Sequence, residues 1–255
     1  MIGRPLFLAA AAALLSLTGA ACGGDDSPAS LPETGAAVCN DLKDADRFRY
    51  VLSYSIQSPQ QESPPDDSTG VGFALLPSMP ALDFQTKHDG AMVKPDRLDF
   101  KVSLPNQPSQ PPLHTIRIGD TECYFLNDTW QVNTGGARSF PFTPPNLCDA
   151  FVSPLSLAGK GASQESVSDT EARHVRLEGV TLDASSQIFS SESDMGRLLK
   201  SFDVDVWLNK TKSRLVKVDA VSRASYPYGR ELSVTFDLEV KSYNDDSIKI
   251  DPPIS

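Results

Sequence analysis

Four cysteines, three histidines and 33 acidic residues carry most of the reactive chemistry available to this 255-residue chain. Cys39, Cys123 and Cys148 show no C-x-x-C spacing and have no neighbouring histidine. A zinc site or a thioredoxin-type couple needs closely spaced ligands or thiols, so these three read as one disulfide and one leftover thiol. Their spacing leaves all three pairings open. His88, His114 and His174 lie far apart, each in a strand-like segment, and are expected to be surface or half-buried residues rather than metal ligands. The acidic pairs Asp44/Asp46 and Asp245/Asp246 fall in turns and read as solvated charges. No G-x-S-x-G, H-E-x-x-H, G-x-x-x-x-G-K or G-x-G-x-x-G run occurs, so nucleophile elbows, zinc proteolysis and phosphate cradles have no local signature. Neither an enzymatic activity nor a cofactor is expected.

The fourth thiol, Cys22, sits in a different context. Ahead of it lie Arg4 and an apolar run from Pro5 to Leu17, the layout of an export signal. Gly19, Ala20 and Ala21 then lead straight into Cys22 and Gly23. This stretch resembles a bacterial lipobox, in which the cysteine thiol receives diacylglycerol and becomes the new N-terminus. Two or three palmitate-type chains hold a protein stably at a membrane, because each buried methylene contributes about 0.8 kcal/mol. Residues 1–21 are therefore read as a lipoprotein signal peptide. Residues 22–36 are read as the lipidated cysteine and a flexible tether of Gly, Asp, Ser, Pro, Thr and Ala, too poor in apolar side chains to order itself. The apolar run is shorter than the roughly 20 residues that span a bilayer.

The net charge is −10, and it becomes more negative once Arg4 leaves with the signal. No cluster of Lys or Arg counters it, so no nucleic-acid partner is expected. Residues 37–255 have a length compatible with a single β-rich domain of about 200–250 residues.

The elements that must position these groups are mostly strands. A short helix is predicted around Val38–Ala45. Phe48, Tyr50, Leu52, Tyr54 and Ile56 then alternate with mostly polar residues, a period-two pattern with one apolar face. After a Pro-rich loop, strand signals resume at Leu82, Phe84 and Thr86, with a hairpin turn predicted at Asp89-Gly90 and a break at Pro95-Asp96. Further strands follow at Leu98–Leu104, Leu113–Ile118 and Glu122–Leu126, the last two joined at Gly119-Asp120. Consecutive strands of this kind form an antiparallel meander. Pro144-Pro145 suits a helix entry, with Leu147, Phe151, Val152 and Leu155 at helical spacing through Pro154, which is expected to end or kink the helix. Gly159–Ser168 reads as a loop, followed by a strand over Arg173–Val180. Ser191–Asp194 has capping-box spacing, and Met195, Leu198, Leu199 and Phe202 predict an amphipathic helix. Val204–Leu208, Leu215–Val218 and Leu232–Val240 are the last strands, and the domain closes around Ile248, Ile250 and Pro252.

A lipobox, a Gly/Asp tether, a long meander, a loop-helix crossover and the hairpin from Val204 to Val218 together resemble the LolA/LppX/LprG superfamily of lipoprotein-carrier and lipid-binding lipoproteins. The Asp89–Trp130 segment and the Ser168–Val180 strand also match its pattern. The Pro-rich insertion from Ser58 to Pro80 and the strand cysteine Cys123 depart from it. The resemblance implies an α+β fold: a strongly curved antiparallel sheet, or half barrel, with about three short helices over its concave face. Between the layers such proteins hold a cavity for acyl chains. Tyr50, Leu52, Tyr54, Phe84, Phe100, Val102, Phe151, Leu198, Leu199, Phe236 and Leu238 are the candidate lining, and each also reads as ordinary core. Helices seated together on the concave side imply a Cys39–Cys148 disulfide, with Cys123 left in a strand. The expected partners are lipid or lipoprotein acyl chains, the membrane through lipidated Cys22, and an envelope protein. The expected location is the extracytoplasmic side of a bacterial envelope membrane. Two alternatives keep the fold: a sensor or protein-interaction module, and a structural envelope lipoprotein with a filled core.

Overall fold

The computed structural model describes residues 31–59, 81–133, 142–181, 201–225 and 231–253. The signal stretch, Cys22, most of the tether, the Pro-rich insertion, and Leu198 and Leu199 with the rest of the capping-box helix up to residue 200 lie outside them.

Strands dominate, as the alternating patterns require. Helix α1 (Gly35–Asp44) precedes strand β1 (Arg47–Ser58), and β2 (Leu82–Val93), β3 (Arg97–Ser103), β4 (Leu113–Ile118), β5 (Thr121–Leu126) and β6 (Thr129–Asn133) follow. Helix α2 (Pro144–Phe151) leads into β7 (Ser163–Val167), β8 (Thr170–Thr181), β9 (Ser201–Asn209), β10 (Leu215–Ser225) and β11 (Glu231–Lys241). All eleven strands form one antiparallel sheet in the order β6-β5-β4-β3-β2-β1-β11-β10-β9-β8-β7. The sheet does not close, and β6 and β7 are its edges. It is a curved half barrel with two short helices among the described residues.

Register puts one apolar face on the concave side. Tyr50, Leu52 and Tyr54 pair with Val240, Leu238 and Phe236 on β11, and Leu238 and Phe236 pair with Val218 and Ala220 on β10. Phe202, Val204, Val206 and Leu208 continue the row on β9. The helices cover this half of the sheet. Thr34 caps α1 by accepting from the Ala37 N–H, and Thr143 caps α2 by accepting from the Asn146 N–H ahead of Pro144, whose missing donor costs nothing at the first helical position. Val38, Cys39 and Leu42 of α1, and Leu147, Cys148 and Phe151 of α2, turn inward. Phe151 packs its ring 4.9 Å from Phe202 and 5.2 Å from Phe236, while Tyr54 stacks on Phe236 at 4.8 Å. The Cys39–Cys148 disulfide ties the two helices together with their Cα atoms 5.5 Å apart, and Cys123 is a buried free thiol. At Gly35 a Cβ would collide with the Val152 carbonyl, so glycine lets the first turn of α1 press on the end of α2.

The convex side carries a second, smaller core. Ile248 and Ile250 of the C-terminal tail lie on Ala91 and Ile116, flanked by Val93, Ile118 and Trp130. The Arg47 and Arg97 guanidinium groups donate to the Ile248 and Ile250 carbonyls at 3.3 and 2.9 Å.

Several expectations are corrected. Strand β2 runs straight through Asp89-Gly90, and the reversal comes at Lys94–Asp96, where Lys94-Pro95 is cis. Glycine is needed at position 90 for packing: a Cβ there would lie 2.7 Å from the Asp99 carbonyl oxygen and 3.0 Å from the Tyr50 ring. Phe202 belongs to β9 rather than to a helix, and its ring is core. The presumed loop after Gly159 contains β7, an edge strand of mostly exposed polar residues that pairs only with β8. His88 is fully buried rather than a surface or half-buried residue.

Candidate functional site

The nominated lining residues divide into two groups. Tyr50, Leu52, Tyr54, Phe100, Phe151, Phe236 and Leu238 are buried and belong to the packed layer between sheet and helices. Phe84 and Val102 lie on the same face of the sheet but nearer its open end: Val102 is partly buried and Phe84 is exposed. The Tyr54 and Phe84 rings meet at 6.2 Å, edge to face, so the core runs without a polar break out to the surface.

Two residues that sequence reasoning did not nominate extend this apolar row. Leu113 pairs with Val102 across β3 and β4. Leu126 alternates with Tyr124 and Glu122, which pair with Thr115 and Arg117, the partners of Phe100 and Leu98. Leu113 and Leu126 are both exposed. The signal for them was the alternation within each strand, and only the inter-strand register shows that they share a face with Phe100. The candidate site is therefore the concave face of β2–β5 at the strand ends where β1 finishes and β2 begins. Its exposed wall is Phe84, Leu113 and Leu126, and Tyr54, Phe100 and Val102 lie behind it. Deeper on that face sit His88, Thr115, Arg117 and Glu122, all buried.

Burial decides the electrostatics here. His88 stacks on Phe100 at 5.8 Å, and desolvation lowers its pKa to about 4, so it is neutral at physiological pH. Desolvation likewise raises the Tyr54 hydroxyl to about 12 and pushes the Tyr50 hydroxyl far above its ordinary range. The imidazole and the two phenols thus add no charge to this face, on which the buried ionisable pair is Arg117 and Glu122.

The remaining histidines face carboxylates. His114 Nε2 lies 2.7 Å from Asp99 Oδ1. His174 bridges Glu165 and Asp205 at 2.8 and 2.7 Å and lies flat on Trp207 at 4.4 Å. On the same convex surface Lys217 reaches Asp219 and Asp237, both at 2.9 Å. Burial and the hydrogen-bonded Asp237 raise the Asp219 carboxyl to about 7, against the pull of Lys217. Among the described residues, no group of three or more His, Cys, Asp or Glu is placed to hold a metal ion. Among them, too, no helix is long and apolar enough to cross a membrane.

A cavity of about 460 Å³ opens at the opposite strand ends, between the β7–β8 and β9–β10 turns. Two of its cations are already paired, Arg214 with Asp41 and Lys241 with Glu239. A smaller cavity of about 310 Å³, lined by Gln57, Arg223 and Leu232 among others, opens at the same end as the candidate site.

These features define an open antiparallel half barrel whose apolar concave face reaches solvent at one end. Among solved structures, the chain is similar to LprF from Mycobacterium bovis at 10% identity and a TM-score of 0.46, over 86% of this chain and 94% of that one. It is also similar to the LolA superfamily protein NE2245 from Nitrosomonas europaea, at 10% identity and a TM-score of 0.28, over 85% of this chain and 97% of the other. At such identity these are likenesses of architecture. No protein-family model and no curated protein matches the chain.

Proposed function

We propose that this chain is a non-catalytic lipoprotein of the bacterial envelope that binds the acyl chains of a lipid or lipoprotein and carries or presents them. In this reading residues 1–21 are removed, Cys22 is acylated, and the chain from Cys22 tethers the half barrel to the membrane on its extracytoplasmic side; the tether is shorter than residues 22–36, because the Glu33 carbonyl accepts from Leu157 and Ala158 and α1 begins at Gly35. The observation that carries the reading is the unbroken apolar row from Tyr54 through Phe84 to the exposed end of the sheet, joined by Leu113 and Leu126 on neighbouring strands. Acyl chains that move along such a wall exchange one apolar contact surface for another, which lowers the cost of transfer. The buried Cys39–Cys148 bond fits an oxidising compartment outside the cytoplasm.

Extraction of the purified full chain, followed by mass spectrometry, tests the proposal. Diacyl lipid is expected to be recovered, and replacing Leu113 and Leu126 with serine is expected to reduce it. A lipid-free protein that takes up no lipid from vesicles would refute the reading. One observation favours a second reading, a structural lipoprotein with a filled core: seven of the nominated lining side chains pack against one another. That reading predicts the lipid-free outcome.

A further inference from the structure

Every large hydrophobic side chain that is conspicuously exposed among the described residues falls on four of the five consecutive strands β2–β6. Leu82 and Phe84 stand on β2, Leu113 on β4, Phe125 and Leu126 on β5, and Val132 on β6, each 38–50% exposed. All but Val132 lie at the same strand ends. In an eleven-stranded sheet, scattered surface leucines would need no explanation, whereas a cluster at one end of one flank does.

The cluster also wraps around the sheet. Phe84, Leu113 and Leu126 lie on the concave face, as a ligand wall requires. Phe125 lies on the convex face, paired with Trp130 across β5 and β6, with their rings 5.4 Å apart. A cavity for acyl chains gives no reason for aromatic side chains on its outer wall. The chain between them is uncharged: residues 102–113, Val-Ser-Leu-Pro-Asn-Gln-Pro-Ser-Gln-Pro-Pro-Leu, hold no Asp, Glu, Lys or Arg in a protein that is 22% charged. Asn106 ties this loop to the start of β2 by donating to the Asp83 carbonyl at 2.8 Å. In the same cross-strand row, His114 pairs with Phe125 and sits 5.0 Å from Trp130, and further inward Asp99 holds it and begins a polar belt. The carboxylates of this flank's tips are Asp83 at the start of β2 and Asp128 in the β5–β6 turn, whereas the turns at the other strand ends hold Lys94, Asp96, Asp120, Asp169, Lys210, Lys212 and Arg214. Apolar tips, an uncharged loop and aromatic rings above a polar belt match the gradient from bilayer core to headgroup. With a net charge of −10, the matching surface is a neutral, zwitterionic one.

We infer that the β2–β6 flank of this end dips into the membrane interface, with Phe84, Leu113 and Leu126 reaching the acyl region and the paired Phe125 and Trp130 at headgroup depth. The mouth of the candidate site would then open inside the interface. The inference rests on the lipid-binding reading, but its readout is separate.

The chain has two tryptophans, Trp130 at this end and Trp207 on β9, far along the sheet. The full chain is reconstituted with phosphatidylcholine vesicles whose acyl chains carry bromine. In a Trp207→Phe variant, Trp130 emission is expected to shift to the blue and to be quenched by the bromines. In a Trp130→Phe variant, Trp207 is expected to stay unquenched. Replacing Leu113, Phe125 and Leu126 with serine, all exposed and tolerable to the fold, is expected to abolish the Trp130 quenching, with about a tenfold loss of partitioning for each side chain well buried in lipid. Trp130 emission that vesicles leave unchanged, or equal quenching of both tryptophans, would overturn the inference, as would a dimer in solution that buries this end. Extractable lipid without Trp130 quenching would overturn the membrane contact and leave the lipid-binding reading standing. Quenching without extractable lipid would do the opposite.

Discussion

Removing the Cys39–Cys148 bond is expected to destabilise the protein severely. The two cysteines are 109 residues apart, and the bond joins the two helices that cover the sheet. Releasing a loop of that length restores chain entropy to the unfolded state, worth about 5 kcal/mol in the loop-closure model. For a domain of this size, that corresponds to a fall in Tm of roughly 10–20 °C. Both sulfurs are fully buried, so Cys39→Ala/Cys148→Ala is the clean double variant; serine would add an unsatisfied hydroxyl at a further 1–3 kcal/mol or so. Urea titrations of oxidised protein, reduced protein and the double variant, followed by tryptophan emission, give the three stabilities. Reduced protein and double variant are expected to agree to within about 1 kcal/mol and to lie well below the oxidised form. A loss under about 1 kcal/mol would refute the reasoning, for it would mean that packing of Val38, Leu42, Leu147 and Phe151 alone seats the helices.

Two titrating groups are expected to pull stability in opposite directions with pH. The folded pKa of His88, about 4, lies below its unfolded value, so stability is lost as pH falls from about 6.5 to 4, by roughly 3 kcal/mol. The folded pKa of Asp219, about 7, lies above its unfolded value, so its contribution is present in acid and is lost as pH rises from about 4 through 7. Urea midpoints across that window should therefore vary little in the parent protein. Asp219→Asn should expose the acid-side loss, and a flat profile in that variant would count against it. Gly90→Ala should cost about 1–3 kcal/mol, because the new methyl meets backbone on β3 and the Tyr50 ring; an unchanged urea midpoint would show that β3 can retreat.

Much of the architecture was legible in the sequence because period-two alternation survives wherever one face of a strand is buried. Phe48 to Ile56 and Leu232 to Val240 show this, and they become the central pair β1 and β11. The Pro144-Pro145 helix entry was legible too, since proline there has a local reason. β7 was not: Ser-Gln-Glu-Ser-Val buries nothing and is a strand only because β8 offers its edge. Asp89-Gly90 misled because a glycine needed for close strand approach looks like a glycine needed for a turn. The candidate site was half legible. Phe84 and Val102 were named, whereas Leu113 and Leu126 join them only through pairings across β3, β4 and β5 that no single segment encodes. Seven of the other nominees show that cavity wall and core share the same residue types, so composition does not separate them.

The strand order also fixes a timetable. β1 to β6 form one meander of neighbours and β7 to β11 another, and the seam between them joins β1 to β11, the first strand made to the last. A chain emerging from its N-terminus can zip the first meander early, but the flank of β1 at Tyr50, Leu52 and Tyr54 waits for residues 231–241. Until they arrive, an apolar strand edge stands open, the kind of surface that associates with other chains. Folding of this protein is thus completed only at its last strand, and in the proposed exported form export and folding are coupled there. Damage near the C-terminus would act as a failure to complete the molecule rather than as a local defect.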